Sequence, residues 1–388
     1  MKKKILFING HLNVGGVERS LVDILRHLDY HKYEVDLLLL EGLGDYLPEI
    51  PQEVNVIMYP LNDASGPLLK TLGMNLIHGH FILVLYRLLM LLSYKAGQKV
   101  MKYARYLFKN GEKTYDVVIG YRPHNPTIFA AYIFHAKKRI AWWHHGEMNI
   151  YGKQLEDLRL TYDVMDAIVA VSNPCAQMLI DVFPNVKDKL IVIPNMLCGE
   201  EIKYKAQEND IQMSPSVFNI VSVGRMSPEK NMIFCVEVAK ILYVKGILFH
   251  WYMIGDGVEF EKITGEIEKS HLSGCFTLTG RIPNPYPYVQ KADLLFHPSL
   301  VESQGLTVLE GMVLGTPVMA VKSLGVKEFA NDGENCMLVD AHAEDAAEII
   351  VMLLSNVILR QHVIATGKQT AKKYAPSKVI QKIENILC

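Results

Sequence analysis

Two glutamates in the stretch VESQGLTVLEGM, Glu302 and Glu310, have seven residues between them. The preceding DLLFHPS is typical of a buried strand, and GLTVLEGMVLG is typical of a helix that begins near Gly305 and ends at Gly315. Glu302 is therefore expected in the loop before the helix, and Glu310 inside it. Amide groups at the start of a helix attract anions, whereas carboxylates accept hydrogen bonds from hydroxyls. A helix dipole accounts for one nearby glutamate but not for the pair.

A second cluster of charge follows the strand in FNIVSVGRMSPEKN. The strand is expected to end at Gly224, with Arg225 directly after it. Ser227 and Pro228 are typical of a helix start, and Lys230 lies within its first turn. Two positive charges beside a helix N-terminus form a site for a diphosphate. The alternative is a pair of solvated surface charges near an ordinary helix start. Together with the two carboxylates, this cluster would suit a nucleoside diphosphate sugar.

The bulk composition excludes several other classes of protein. The chain has 388 residues, of which half are hydrophobic, and its net charge is -1, so no overall electrostatic field favours nucleic acid. Six scattered cysteines without C-x-x-C spacing favour reduced thiols in a cytoplasmic protein. The start, MKKKILFING, has too short an apolar run for a signal peptide. The longest apolar run, FILVLYRLLMLL, is too short to span a bilayer.

The elements that must position these residues alternate along the whole chain. Continuous apolar strands such as KILFI, DVVIGY, FNIVSVG and DLLFHPS are separated by amphipathic helices. This alternation predicts parallel sheets with helices on both faces, whose ligands bind beyond the carboxyl ends of the strands. The polar segment LCGEEIKYKAQENDIQMSPS is interpreted as an interdomain linker. We expect an α/β protein with two doubly wound domains, residues 1–200 and 217–374, and a cleft between them.

The second half resembles a known enzyme family. GRMSPEKN, MIGDG, LTGRIPNPYPYVQKADLLFHPSLVESQGLTVLEGMVLGTPVMA and GENCMLVD are similar, in the same order, to the second domain of the family 4 retaining glycosyltransferases of the GT-B fold. The resemblance is thinner in the first half, where NVGGVERSLVDI and AWWHHGE carry it. It implies two Rossmann-like domains facing a central cleft, with a last helix, at about residues 375–388, that returns to the first domain.

The resemblance also implies roles for individual residues. Arg225 and Lys230 would hold the donor diphosphate, Glu310 the ribose, and Glu302 the transferred sugar near its anomeric carbon. The implied donor-binding set is Gly15, Gly16, Gly224, Arg225, Lys230, Gly280, Arg281, Glu302, Ser303, Gln304, Gly305, Leu306 and Glu310. The family is metal-independent, and the chain contains no D-x-D, so no metal or other cofactor is expected. The family commonly has Pro-Phe-Gly or Ser-Phe-Gly after the first glutamate, whereas this chain has Ser303-Gln304-Gly305.

Two stretches of the first domain are further candidates. Gly15 and Gly16 follow the first strand, where glycine lets the backbone approach a ligand closely, although a tight strand–helix turn is the alternative. His144 and His145 end another strand. The family places one catalytic histidine here against the donor sugar. The upstream IAW favours His144 and the following GE favours His145; we lean to His144.

A basic and aromatic segment, YKAGQKVMKYARYLFK, follows the apolar run. On a continuous helix its five basic residues would fall on one face, with tyrosines interleaved. Such a face is typical of contact with a membrane surface, whereas the alternative is an ordinary solvated helix. The basic residues are Lys95, Lys99, Lys102, Arg105 and Lys109.

The predicted function is transfer of a hexose, from a UDP-sugar rather than GDP-mannose, to a glycan or lipid-linked acceptor in surface polysaccharide synthesis. It would occur in the cytoplasm, at the inner face of the cell membrane, without nucleic acid. The alternatives are a GT-B sugar-nucleotide epimerase and a catalytically silent nucleotide-sugar-binding subunit. A dehydrogenase is disfavoured because GDGVEF has Phe260 where the dinucleotide fingerprint needs its third glycine.

Overall fold

The computed structural model describes residues 1–59, 61, 74–78, 80–108, 111–209 and 211–388. The chain forms two compact units. The first comprises Met1–Pro194 together with Ile380–Cys388, and the second is the continuous segment Asn195–Val379. Each unit contains one parallel sheet with helices between its strands, so the α/β class predicted from the sequence is confirmed.

The first unit contains a seven-stranded parallel sheet in the order β3-β2-β1-β4-β5-β6-β7. Strands β1 and β4 pair with Ile5 opposite Val117 and Ile8 opposite Gly120. The order reverses between these two strands, which makes the gap beyond their carboxyl ends the expected place for a ligand. The strands are β1 Lys3–Asn9, β2 Tyr33–Leu39, β3 Val54–Met58, β4 Thr114–Gly120, β5 His135–Trp143, β6 Ala167–Ala170 and β7 Leu190–Val192.

The second unit contains a six-stranded parallel sheet in the order β10-β9-β8-β11-β12-β13. Its order reverses between β8 and β11, which pair through Leu294 opposite Ile220 and Leu295 opposite Val221. The strands are β8 Phe218–Val223, β9 Phe249–Ile254, β10 Phe276–Gly280, β11 Leu294–His297, β12 Val318–Val321 and β13 Met337–Val339. All thirteen strands coincide with apolar runs in the sequence.

Helices connect the strands in both units. In the first, the α-helices are Gly16–His27, Phe81–Ala96, Asn125–Ile128, Gly152–Asp163 and Asn173–Val182, and helix Pro376–Leu387 ends in it. In the second they are Gly199–Lys205, Ile233–Val244, Phe260–Lys269, Tyr286–Lys291, Leu306–Leu314, Leu324–Lys327, Ala343–Ser355 and Val357–Ala371.

Two hydrophobic clusters cover the opposite faces of the second sheet. Along β11, Leu294 and Phe296 belong to one cluster, and Leu295 between them belongs to the other. This alternation follows from the two-residue period of a strand, and both faces are apolar because helices cover both. The strands position the site by fixing which loops meet at their carboxyl ends.

The boundary between the units differs from the sequence-based expectation. The segment read as a linker contains helix Gly199–Lys205, whose Ile202 packs in the core of the second unit with Leu197 and Ala206. Its seven residues are too few to show a clear apolar period, so the sequence hid the helix. The chain enters the second unit at Asn195 and returns to the first at Ile380, rather than near residues 200, 217 and 374.

The basic segment does not form the single helix that the sequence suggested. Gly97, with a φ of 90°, ends helix Phe81–Ala96, and Gln98–Leu107 continues as a 3₁₀-helix. Residues three apart align on a 3₁₀-helix, so Lys99, Lys102 and Arg105 still form one row. Lys109 lies outside the described residues.

Within the described ranges, no single helix is both long and apolar enough to cross a bilayer. One sharply bent pair, Ala343–Ser355 with Val357–Leu387, meets the length and composition limits when its members are taken together.

Candidate functional site

The candidate site of the second unit forms where its strand order reverses. The loop after β8 carries Lys230, and the loop after β11 carries Glu302. Because β8 and β11 are neighbours, these loops meet and hydrogen-bond to each other: Leu300 N donates to Glu229 O at 3.0 Å, and Ser299 Oγ donates to the same carbonyl at 3.2 Å. The topology therefore brings together two residues that lie 72 positions apart in sequence.

Glu302 accepts two short hydrogen bonds through its Oε1 atom. Lys230 Nζ donates at 2.6 Å and His297 Nε2 at 2.8 Å. The Glu302 side chain keeps only 10% of its surface exposed. Burial alone raises the pKa of this carboxyl group, but the hydrogen bonds and positive charge of His297 and Lys230 outweigh it and lower the pKa to about 2. Glu302 is therefore an ionised hydrogen-bond acceptor at neutral pH.

Arg225 adds positive charge at the same edge of the sheet. It is exposed, immediately after Gly224. Burial raises the pKa of neighbouring Glu229, but hydrogen bonds from Ser227 Oγ and the backbone, with the charges of Arg225 and Lys230, give a net lowering. The helix expected at Ser227 is a short 3₁₀ turn, Pro228–Lys230, and the α-helix begins at Ile233.

The loop from Glu302 to Gly305 is held in a fixed path into helix Leu306–Leu314. Gly305 has a φ of 80°, in the left-handed region that favours glycine. A Cβ atom at Gly325 would lie 2.5 Å from the carbonyl oxygen of Glu302, so the loop lies directly against this glycine. The helix begins at Leu306 and ends at Gly315, close to the sequence-based expectation. Ser303 and Leu306, both partly buried, complete this loop.

Glu310 lies in this helix, partly exposed, and accepts a hydrogen bond from Tyr286 Oη at 3.0 Å. Tyr286 begins the short helix after β10. The nearby loop is fixed by Asn284, whose Oδ1 accepts from Tyr286 N at 3.2 Å and whose Nδ2 donates to Lys205 O at 2.7 Å. The hydroxyl of Tyr286 therefore orients one carboxylate oxygen of Glu310.

The glycines of GDGVEF serve backbone packing. A Cβ atom at Gly255 would lie 1.9 Å from Gly224 O, and one at Gly257 would lie 2.4 Å from Met226 O. Gly255 N donates to Gly280 O at 2.9 Å, which joins the ends of β9 and β10. Gly224 and Gly280 thus lie in interlocked loops, and Arg281 follows as an exposed residue. The motif resembles a dinucleotide fingerprint because three strand ends approach closely here.

In the first unit, Gly15 precedes helix Gly16–His27 at the end of β1. A Cβ atom at Gly15 would lie 2.4 Å from Glu18 Oε2. Glu18 is buried and accepts a hydrogen bond from Arg122 at 3.1 Å. The Gly15–Gly16 turn therefore encloses a paired carboxylate of its own helix.

His144 and His145 follow β5 and have different surroundings. His144 is buried against Tyr121, with ring centroids 4.6 Å apart. Neither ring nitrogen makes a hydrogen bond of normal geometry to a described residue. Burial, then the neighbouring charges of His145 and Arg122, lower the pKa of His144 well below its usual range, although a backbone contact at Tyr121 opposes this.

His145 has an exposed side chain and an anchored backbone. Its carbonyl oxygen accepts from Trp143 Nε1 at 2.7 Å and from Cys175 Sγ at 3.3 Å. Desolvation by surrounding protein atoms, with the charges of Arg122 and His124, lowers the pKa of its ring to about 4. Both rings are therefore neutral at neutral pH. Which of the two faces a donor sugar stays a prediction.

Comparison with protein families identifies the chain. The profile described as "Glycosyltransferase Family 4" matches residues 14–197, and that described as "Glycosyl transferases group 1" matches residues 205–370. The two matches follow each other and cover most of both units. The chain belongs to glycosyltransferase family 4.

Individual relatives of this family 4 chain are more distant. An uncharacterized glycosyltransferase of Methanocaldococcus jannaschii is 29% identical over 57% of this chain and 59% of its own length. The poly(ribitol-phosphate) alpha-N-acetylglucosaminyltransferase of Staphylococcus aureus is 27% identical over 42% of this chain and 34% of its own length. The family 4 chain thus spans less than two thirds of the length of either relative.

Solved structures support the fold of the family 4 chain. Anabaena HepE, crystallised in complex with UDP and glucose, is 18% identical with a TM-score of 0.71 over 99% of each chain. The predicted GT-B class is therefore confirmed.

Three side chains at the site of the family 4 chain were not predicted to act there. His297 ends the strand run DLLFHPS and could have been suspected from its position before Glu302. Tyr286 lies in the turn-rich PNPYPY, where nothing in the sequence pairs it with Glu310. The contact of Gln304 with Asn195, described below, joins residues 109 positions apart, and no local pattern signals it.

Proposed function

We propose that this chain is a retaining glycosyltransferase that moves a hexose from a UDP-sugar to a glycan or lipid-linked acceptor. The observation that carries the proposal is the group formed by Lys230, His297 and Glu302 at the strand-order reversal, beside the start of a helix that carries Glu310. This group combines cations and amide donors for a diphosphate with ionised acceptors for hydroxyls.

In the proposed complex, Arg225, Lys230 and the amides near Gly305 hold the diphosphate. Glu310, oriented by Tyr286, accepts hydrogen bonds from the ribose diol, and Glu302 accepts from the transferred sugar. The depressed pKa of Glu302 supports this role, since the carboxylate stays an acceptor throughout the neutral range. Family membership supports retention at the anomeric carbon.

Departure of the diphosphate increases its negative charge, and the proposed stabilisation comes from Arg225, Lys230 and the helix start. The chain contains no D-x-D. Turnover of a saturating UDP-sugar should therefore be unchanged by EDTA. An enzyme silenced by EDTA and restored by manganese would contradict this mechanism.

A panel of nucleotide sugars, each added to the intact chain, tests the donor. Binding to the native state raises the melting temperature, and we expect UDP-sugars to raise it more than GDP-mannose. No shift with any nucleotide sugar would contradict the proposal.

Product analysis then separates the alternatives. Transfer with retention gives an α-linked product from an α-linked donor, whereas an epimerase converts the UDP-sugar without an acceptor. A silent subunit binds the donor and leaves it unchanged.

The acceptor is proposed to be a surface polysaccharide or its lipid-linked precursor. The relative from S. aureus, named for transfer to poly(ribitol-phosphate), supports a cell-surface polymer. The structure adds an apolar stripe on helix Phe81–Ala96, one face of which is open to solvent. Its exposed side chains are Phe81, Ile82, Leu85, Leu88, Leu91 and Leu92. Soluble proteins rarely expose so continuous an apolar stripe.

Basic residues follow this stripe directly. Lys95, Lys99 and Lys102 are exposed, whereas Arg105 is partly buried and donates to Tyr132 O at 3.3 Å. Apolar side chains beside lysines suit the surface of an anionic bilayer. We therefore propose peripheral membrane contact through the stripe and the three lysines, in the cytoplasm at the inner face of the cell membrane.

Sedimentation with vesicles tests this contact. Replacing Lys95, Lys99 and Lys102 with glutamine should reduce binding to vesicles of phosphatidylglycerol and phosphatidylcholine, most strongly at low salt. Replacing Leu85 and Leu88 with serine should reduce it at all salt concentrations. Unchanged sedimentation of both variants would contradict membrane contact.

A further inference from the structure

Gln304 does not extend into a ligand site. It is 2% exposed, and both ends of its amide contact the backbone of one residue. Its Oε1 accepts from Asn195 N at 2.7 Å, and its Nε2 donates to Asn195 O at 3.2 Å. The side chain thus pairs with Asn195 as a neighbouring strand would. An aromatic side chain, common at this position in the family, can make neither bond.

Asn195 marks the point where the chain enters the second unit. Ile193 still belongs to the first sheet, because its N–H donates to Ala170 O at 3.0 Å. Pro194 has no N–H to donate. Asn195, buried, is already held by Gln304. The passage from one set of hydrogen bonds to the other therefore takes a single residue.

The same segment is tied to the point where the chain leaves the second unit. Leu197 N donates to Tyr374 O at 2.8 Å, and Tyr374 packs its ring 6.0 Å from that of Phe329. Helix Pro376–Leu387 follows at once and carries the chain back to the first unit at Ile380. Both passages are thus linked within the second unit.

Gln304 also lies two residues after Glu302. On its other side the loop has no free space, because the backbone of Gly325 lies directly against the carbonyl of Glu302 and the amide of Gln304. The Glu302 side chain is fixed by Lys230 and His297. The remaining connection of this loop is the paired amide of Gln304.

We propose that Gln304 is a positioning residue, which fixes the loop carrying Glu302 to the segment by which the chain enters the second unit. The inference rests on the proposed function for its kinetic consequence, but not for its structural content. Because Gln304 is buried and bonded to backbone at both ends of its amide, it acts on a donor only through Glu302 and the loop amides.

Two variants test the role. Gln304→Met keeps the length of the side chain and loses both hydrogen bonds, whereas Gln304→Glu keeps an acceptor for Asn195 N. The exposed Gln290→Met is the matched control. The kinetic probe is release of UDP from UDP-glucose. A displaced catalytic group costs up to about 100-fold in rate. We expect kcat to fall about 10- to 100-fold in Gln304→Met, less in Gln304→Glu, and KM to change much less than kcat.

Hydrogen–deuterium exchange provides a readout that needs no turnover. In Gln304→Met, the segments 195–197 and 302–306 should both exchange faster than in wild type, whereas Gln290→Met should leave them unchanged. A purely structural role would lower the melting temperature and leave kcat near the wild-type value well below that temperature. The proposal is overturned if kcat stays within about twofold of wild type, or if the 302–306 segment exchanges as in wild type.

The two arms separate this inference from the proposed function. A wild-type protein that releases no UDP from any UDP-sugar contradicts the proposed function, and the exchange experiment then decides the role of Gln304. A wild-type protein that turns over UDP-glucose, with Gln304→Met equal to it, contradicts the inference alone.

Discussion

Replacing Glu302 with glutamine should remove a pH-dependent part of the stability of the second unit. The carboxyl group has a pKa of about 2 in the folded protein, against a model-peptide value of 4.5. Because the folded pKa is lowered, the unfolded chain binds the proton more tightly, and the stabilisation present above pH 4.5 is lost as the pH falls toward 2. The full difference corresponds to about 3 kcal/mol, of which about 2 kcal/mol is lost between pH 5 and pH 3.

The assay is urea unfolding of the second unit at pH 5 and pH 3, followed by the fluorescence of buried Trp251. Both proteins carry Trp142→Phe and Trp143→Phe, so that Trp251 is the single tryptophan. Glu302→Gln should be the less stable protein at pH 5, because Lys230 then faces a neutral amide.

The difference from wild type should shrink by about 2 kcal/mol at pH 3. All other acids titrate in both proteins and cancel. The exposed Glu237→Gln is the control and should parallel wild type at both values. A difference for Glu302→Gln that stays constant with pH would refute the reasoning.

Three further outcomes are expected. Arg225→Ala and Lys230→Ala should each lower kcat by about 10²–10³-fold, as loss of one preorganised donor does, and kcat values near wild type would contradict their role. Tyr286→Phe should raise the Kd for UDP about threefold to tenfold, the loss of one hydrogen bond, measured by calorimetry against Tyr243→Phe as an exposed control. Gly311→Ala should destabilise the second unit by about 1–3 kcal/mol in thermal unfolding, because the new Cβ would lie 2.4 Å from Leu295 Cδ2; a more stable variant would show that the strand yields.

The fold could be predicted from the sequence because its signals are local and repeated. Each buried strand is an apolar run such as FNIVSVG, and Gly305 and Gly315 mark both ends of one helix in the left-handed conformation. Helix Gly199–Lys205 escaped because it is short and its few apolar residues show no clear period. Gly97 misled in the opposite way: the basic spacing on either side continues across a residue whose φ of 90° ends the helix.

The site could be predicted only where its residues lie together in a motif. Glu302 and Glu310 share one loop and helix, so their spacing alone indicated a ligand. The partners of these carboxylates depend on tertiary contacts. Lys230 reaches Glu302 because β8 and β11 are adjacent, and Tyr286 reaches Glu310 through the packing of two helices. Gln304 was taken as a donor-binding residue from its position, whereas its amide is occupied by Asn195.

The division of the first unit into two segments has a consequence for synthesis of the chain. Lys3 Nζ, in the first strand, donates to the carbonyl oxygens of Leu387 and Cys388, at 3.3 and 2.9 Å. Domains fold as units during translation, in general beginning at the N-terminus. Here the order is reversed at the last step, because the second unit is continuous and is fully translated before residues 380–388 exist. The first unit must therefore wait, with one position on its surface uncovered, until the rest of the molecule has been made.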